Sequence, residues 1–95
     1  MTRPVRLRPA AERDLERLAE FIVEHDPKAA LRAVRVLRQA ILSLEELPER
    51  GRPGPRADLR ELFVRFGQSH YVIRYQVRPD AIVVTRIWHA REVRG

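Results

Sequence analysis

The residues best able to do chemistry lie in the last third of the chain, where strand-like alternation carries repeated arginine. Arg74 falls within residues 70–77, Arg86 and His89 fall within residues 81–89, and Arg91 follows directly. Guanidinium groups make charged, two-pronged hydrogen bonds to phosphates and carboxylates, and an imidazole can exchange a proton near neutral pH. These residues predict an anion-binding surface, with His89 as a candidate proton donor or acceptor.

Each of these residues also has a structural interpretation. A single arginine is more often solvated or paired with an acid, here Asp58, Glu61 or Glu92, and a His at a strand end is more often a polar cap. For the cluster as a whole the anion-binding interpretation is favoured, and the preceding strand adds Arg60 and Arg65 to it.

The two tyrosines and the tryptophan of this region are not expected to bind bases. Tyr71 and Tyr75 share the parity of Ile73, which predicts a place in the core. Trp88 is expected in the core or at a partner contact, because the chain has too few aromatic residues for a stacking surface.

Charge is distributed unevenly along the 95 residues, whose formal net charge is +6. Residues 1–48 hold nine basic and eight acidic side chains (9 − 8 = +1), whereas residues 49–95 hold ten and five (10 − 5 = +5). The first half is therefore self-neutralising, and the predicted strands carry the positive field.

Composition narrows the class of protein. There is no cysteine, which excludes disulfides and thiolate chemistry, and no apolar run approaches the roughly 20 residues of a membrane span. The first residues lack the apolar core of a signal peptide, so a cytoplasmic location is expected.

Familiar enzyme motifs are missing from the sequence. The glycines at 51 and 54 lack the Lys-Ser/Thr of a phosphate loop, the three histidines are scattered, and neither serine has a nucleophile's setting. We therefore expect no metal site and no cofactor.

The periodicity predicts a short edge strand at residues 5–8, bracketed by prolines, and a helix from residue 10 to about 25. A second helix, begun by Asp26 and Pro27, is expected to end near Leu47, before Pro48. An irregular loop then leads to three strands at 59–66, 70–77 and 81–89. The buried helical stripes are predicted at Ala11, Leu15, Leu18, Ile22, Phe21 and Val23, and at Ala30, Val34, Leu37, Ile41, Leu44 and Leu47.

The element order β-α-α-β-β-β predicts one α+β domain over residues 1–95. In it, a helical hairpin packs on one face of a small, largely antiparallel four-stranded sheet. The sequence does not determine which strand pairs with the first strand. It also does not determine on which sheet face each arginine lies, since a β-bulge would invert the parity.

Six short segments, in order along almost the whole chain, carry a family resemblance. Together they resemble the RelE/ParE superfamily of bacterial type II toxins, also described as plasmid stabilisation proteins. The segments are AAERDL (10–15), DPKAA (26–30), LPERGR (47–52), LREL (59–62), YVIRY (71–75) and IWHAR (87–91).

Three of these features are more similar to the ParE branch of the superfamily. They are the Leu-Pro-x-x-Gly-Arg turn, the Arg-Glu-Leu and the closing His-Ala-Arg. That likeness implies a non-enzymatic toxin that poisons DNA gyrase and traps its cleaved DNA complex. The implied target-binding residues are Arg60, Arg65, Arg74, His89 and Arg91.

The RelE branch instead implies an endoribonuclease that cuts mRNA on the ribosome, often with a tyrosine at the C-terminus. In this chain Ala90 follows His89, and no tyrosine follows Tyr75. The residues that would serve this alternative are Arg74, Arg86, His89 and Arg91. A third alternative is an inactive member kept as an antitoxin-binding module.

The resemblance also implies a partner, a cognate acidic antitoxin whose amphipathic C-terminal segment wraps the toxin. The open sheet face and the groove of the helical hairpin could each accept such a segment. Operator DNA would be contacted only indirectly, through the antitoxin, and no membrane partner is expected.

Overall fold

The computed structural model of the protein describes residues 3–92. Its elements are β1 (Val5–Leu7), α1 (Pro9–His25), α2 (Pro27–Ser43), β2 (Arg52–Pro53), β3 (Leu59–Phe66), β4 (Ser69–Val77) and β5 (Ile82–His89). Neither helix is long and apolar enough to cross a membrane.

One residue, Asp26, separates the two helices. Its backbone N–H donates to the Ile22 carbonyl at 2.6 Å and closes α1, while its carboxylate accepts the Ala29 N–H at 3.1 Å and caps α2. A proline occupies the first turn of each helix, where its missing N–H costs nothing. The chain thereby reverses into the predicted helical hairpin.

The prediction that α2 continues to Leu47 is wrong by four residues. After Ser43 the Leu44 N–H bonds to the Ile41 carbonyl and the Glu45 N–H to the Leu42 carbonyl, both at 3.1 Å. These bonds reach back three residues instead of four, so the helix tightens into a turn before Pro48.

The sheet has five strands in the order β1-β5-β4-β3-β2, so the expected four-stranded sheet is wrong. The additional strand, β2, lies in the loop predicted to be irregular and pairs antiparallel with Glu61 and Arg60 of β3. Its proline is tolerated there because an edge strand leaves one side unpaired. β1 lies at the other edge, as predicted, and pairs parallel with β5.

The helical hairpin covers one sheet face, and the core lies between them. Tyr71, Ile73 and Tyr75 of β4 point into it, as the alternation predicts, and Ile82, Val84 and Ile87 of β5 join them. The predicted helical stripes are too wide, however. Phe21, Val23 and Leu47 are 56%, 49% and 59% exposed, because the sheet contacts only the narrow stripe nearest to it.

A register shift separates two parts of the β4–β5 pair. Arg74 lies opposite Arg86, whereas Tyr75 lies opposite Val84, so Thr85 is the additional residue of a bulge. Its hydroxyl donates to the Arg74 carbonyl at 3.2 Å. This bulge is why strand parity alone left the direction of Arg86 open.

Candidate functional site

The sheet face opposite the helices, called here the outer face, is ordered in rows across the strands. An apolar row runs from Phe63 to Val72 and Trp88, which are direct neighbours in the register. Glu61 and Arg74 face each other on one side of this row, and Arg65 and His70 face each other on the other side. Charge and apolar surface therefore alternate across the outer face.

Arg74 is held by contacts within the fold. Its Nε and Nη2 donate to one carboxylate oxygen of Glu61 at 3.0 and 2.9 Å, and its guanidinium lies 4.8 Å from the ring centre of Trp88. Both members of the ion pair are mostly buried, with side chains 19% and 17% exposed. The predicted phosphate clamp is thus already neutralised by an acid and stacked on an aromatic ring.

Arg86 is bound by Asp14, a buried acid of α1. The carboxylate accepts Arg86 Nε at 2.8 Å, Arg86 Nη2 at 3.2 Å and the backbone N–H of Ile87 at 2.8 Å. Burial raises the pKa of Asp14, but these hydrogen bonds and the Arg86 charge outweigh burial and bring the pKa below its ordinary value. The same hydrogen bond raises the pKa of Arg86.

Along the part of β5 that has no strand beside it, side chains bond to the backbone groups. Because β1 pairs only with Ile82 to Val84, the later residues of β5 have no strand beside them on this edge. Besides the Asp14 contact, the Ile87 carbonyl lies 3.4 Å from Arg17 Nη2, and the His89 N–H donates to Glu92 at 2.9 Å. Arg17 also donates to Glu92 at 2.7 Å, so the turn after β5 is tied to α1.

His89 has a defined tautomer in this arrangement. Its Nδ1 accepts the backbone N–H of Arg91 at 3.1 Å, which requires an unprotonated Nδ1 and places the proton on Nε2. The ring stands edge-on to Tyr71, with centres 5.2 Å apart. His89 therefore offers its surroundings a hydrogen-bond donor.

Two cavities meet at the end of β5. One, of about 590 Å³, lies between α1 and the turn after β5 and is lined by Arg17, Leu18, Phe21, His89, Arg91 and Glu92. The other, of about 340 Å³, is lined by Gln68, Ser69, His70, His89, Ala90 and Arg91. We call Arg65, His70, His89 and Arg91 the C-terminal rim, since Arg65 faces His70 and the others share the second cavity.

The predicted site residues are only partly brought together. Arg65, His89 and Arg91 lie at the C-terminal rim, and the Arg65 Nε donates to the Gly67 carbonyl at 3.1 Å. Arg60 lies opposite Tyr75 on the core-facing side of β3, and its Nε is buried without a hydrogen-bond partner. It belongs to neither the outer face nor the rim.

The residue that sequence reasoning missed is Asp14. It lies three residues after Ala11 and four before Leu18, directly on the apolar stripe of α1, and an acid in that position is rarely buried without a partner. His70 was also missed. It alternates outward like the other polar residues of its strand, and nothing in the sequence sets it apart from them. Within residues 3–92, no three potential metal ligands are gathered.

A helical hairpin on one face of a mostly antiparallel sheet, with a cationic rim at the end of the last strand, makes this chain a small α+β domain. The family model for the ParE toxin of type II toxin–antitoxin systems matches residues 5–94. The chain therefore belongs to this family, which confirms the superfamily resemblance.

Two relatives that are similar in sequence are named RelE toxins. The chain is 47% identical over 95 residues to "Toxin RelE1" of Caulobacter vibrioides, covering 99% of this chain and 100% of the relative. It is 39% identical to "Toxin RelE3" of the same organism, covering 95% and 97%.

Two solved structures share the fold. The chromosomal ParDE system from P. aeruginosa matches with a TM-score of 0.82 at 21% identity, covering 93% of this chain and 96% of that one. The RelBE2 toxin–antitoxin complex from Mycobacterium tuberculosis matches with 0.61 at 23% identity, covering 97% and 95%. At such identities the likeness shows the fold alone.

Proposed function

We propose that this toxin arrests growth by binding DNA gyrase through the C-terminal rim and has no catalytic site of its own. The observation that carries this proposal is the hydrogen bond that His89 Nδ1 accepts from the Arg91 N–H. A general base needs an unprotonated nitrogen aimed at its substrate, whereas Nδ1 of His89 is engaged by the Arg91 N–H. Its Nε2–H suits recognition of an acceptor on a partner better than removal of a proton.

The charged residues support the same conclusion. A nuclease needs unpaired cations to stabilise phosphate charge in the transition state, and two of the predicted clamps are already paired, Arg74 with Glu61 and Arg86 with Asp14. Arg65 and Arg91 remain exposed at the rim, where they can attract an acidic protein surface.

The tyrosines support it further. The chain has two, Tyr71 and Tyr75, and both are buried in the core. Burial raises the pKa of each phenol, and Tyr75 is occupied by its bonds to the Pro48 carbonyl and the Gly51 N–H, each at 2.8 Å. Neither can serve as an acid near the rim.

A supercoiling and DNA-cleavage assay with purified gyrase tests the proposal. The toxin should inhibit supercoiling and accumulate cleaved DNA at stoichiometric concentration, and Arg91→Ala should weaken both effects. Arg56→Ala is the matched control, because that arginine is exposed on the β2–β3 loop and paired with Asp58 at 3.0 Å. Unchanged gyrase activity at stoichiometric toxin would overturn the proposal.

A ribosome-dependent mRNA endoribonuclease is the second candidate, favoured by the cavity that His70, His89 and Arg91 share. Two imidazoles beside an arginine could divide the acid and base roles. Mapping of mRNA ends in cells that express the toxin tests this candidate, with His70→Ala as the variant that should abolish cleavage. Absence of cuts within translated codons would remove it.

We further propose that a cognate acidic antitoxin neutralises the toxin by filling the cavity between α1 and the turn after β5. Its wall contains Leu18 and the exposed Phe21, and Arg17 and Arg91 lie beside them, which suits an apolar side chain flanked by carboxylates. Such a segment would cover the rim and block any target.

Calorimetric titration with a small acidic protein encoded beside the toxin tests this partner. Phe21→Ala should weaken binding by roughly tenfold, since a buried aromatic anchor is lost. Leu47→Ala removes an equally exposed side chain outside this cavity and should leave the affinity unchanged. Equal effects of the two substitutions would contradict the assignment.

A further inference from the structure

The two helices carry opposite charge. α1 contains five acidic and two basic side chains (2 − 5 = −3, His neutral), whereas α2 contains four basic side chains and no acid (+4). The first half of the chain is therefore neutral because one helix offsets the other.

These charges point away from the sheet. At 100° per residue, Glu16 and Glu20 lie roughly opposite the buried stripe of α1, and Arg35 lies opposite that of α2. The charged residues on this side are all exposed: Glu12, Arg13, Glu16, Glu20 and Glu24 of α1, and Lys28, Arg32, Arg35 and Arg38 of α2. In the described part of the chain, no ion pair joins the two helices.

Apolar side chains are exposed on the same side. Leu31 and Leu42 are 69% and 58% exposed, and Val23 is also exposed. With Arg35, the two leucines form one stripe along α2, since they stand four residues before it and seven after it. An exposed helix face that combines leucine with cations fits an amphipathic, acidic helix better than it fits phosphates.

The protein itself supplies such a helix. Because Asp26 alone joins two antiparallel helices of equal length, residues equally distant from it lie at the same level along the hairpin. Glu24 is level with Lys28, Glu20 with Arg32, and Glu16 nearly with Arg35. These side chains point outward in parallel, which is why they do not pair within one chain.

We propose that the protein self-associates as a symmetric dimer through the outward side of the hairpin, with α1 of each copy lying on α2 of the other. A two-fold axis parallel to the hairpin brings α1 over the partner's α2 without changing any level, so Glu24, Glu20 and Glu16 each lie over the cation at their own level. An axis across the helices would set α1 on α1 and like charge on like charge.

The interface is small. Two helices about 25 Å long and about 10 Å wide present roughly 500 Å² per copy, near the lower limit for a specific complex. The dimer is therefore expected to be weak, in the micromolar range, and sensitive to salt, since exposed charges are screened. The interface does not include the C-terminal rim, and the proposed dimer does not depend on the proposed action on gyrase.

Sedimentation equilibrium of the purified chain, made by cell-free synthesis, tests the dimer at about 5–300 µM in 0.05 and 0.5 M NaCl. A dimer should form at low salt and weaken by roughly tenfold at high salt. Arg35→Glu and Glu16→Arg should each weaken it by roughly tenfold, because every pair occurs twice in a two-fold dimer. The combined variant should recover most of the affinity, because it restores opposite charges.

Arg78→Glu, an exposed reversal in the β4–β5 turn, is the control and should leave association unchanged. Circular dichroism verifies that each variant is folded. A monomer at every concentration in low salt would overturn the proposal, as would a dimer insensitive to both single reversals. A combined variant no tighter than the single ones would overturn the α1-on-α2 arrangement. Loss or retention of gyrase inhibition does not bear on any of these outcomes.

Discussion

Replacement of the buried Asp14 by alanine should cost more stability than replacement of any other charged residue of α1, all of which are exposed or half-buried. The carboxylate is the acceptor for the buried Ile87 N–H at 2.8 Å, and leaving a buried donor unpaired costs about 1–3 kcal/mol. Its bonds to Arg86 and Arg17 add less, about 0.5–1 kcal/mol, because those side chains are 41% and 40% exposed and water can replace the acid.

The free energy of unfolding should therefore fall by about 1.5–4 kcal/mol, which lowers Tm by roughly 6–30 °C in a domain of this size. Urea titration followed by the fluorescence of the buried Trp88 measures the change, and the denaturant slope should stay constant. Asp14→Asn keeps one oxygen acceptor for the Ile87 N–H and should lose about half as much. Arg13→Ala, exposed on the same helix, should stay within about 0.5 kcal/mol.

A loss below about 1 kcal/mol in Asp14→Ala would refute the reasoning. It would mean that the free edge of β5 does not depend on the acid for its hydrogen bonds.

Three further predictions concern the pH dependence of the Asp14 contribution, the close packing at Gly51 and the role of His89. The stability advantage of the wild type over Asp14→Asn should be constant from about pH 5 to 8 and should shrink in urea titrations below pH 4. The reason is that the folded pKa lies below the ordinary 3.8 and the unfolded chain binds the proton first. Gly51→Ala places a methyl 2.7 Å from the Tyr75 hydroxyl and 2.9 Å from the Glu61 carbonyl; it should cost about 2–4 kcal/mol, and less than additively with Tyr75→Phe in a thermal-melt cycle. His89→Ala should reduce growth arrest on induction while leaving Tm within a few degrees, and undiminished arrest would exclude the rim as the working surface.

Much of the fold could be predicted from local patterns. Alternation placed Tyr71, Ile73 and Tyr75 in the core, and Asp26-Pro27 located the helical turn, because these signals depend only on neighbours along the chain. β2 could not be predicted, since two residues with a proline acquire a strand conformation only by lying beside β3. The end of α2 was missed because its last turn tightens without a breaking residue at that point.

The candidate site was less predictable, for a physical reason. Whether a cation is available depends on which acid the fold brings to it, and Arg86 meets Asp14 from 72 residues away. Glu61 was among the acids expected to pair with the arginines, without its particular partner, but the pairing of Asp14 required the position of α1 over the edge of β5. The bulge at Thr85 had to be seen in the structure.

These pairings also change the meaning of the charge asymmetry. The strands carry an excess of arginine, but Asp14 of the first half neutralises Arg86 and Glu61 neutralises Arg74. In β3, β4, β5 and the turn after β5, the exposed arginines are Arg65 and Arg91, and the edge strands add Arg6 and Arg52. The same fold is found in a ParDE system and in a RelBE2 complex, and a scaffold shared so widely cannot select a target. Selection must come from side chains that the scaffold does not need for its own stability. Under the proposed function those are the rim residues, where His89 presents a donor, an arrangement suited to holding a partner surface.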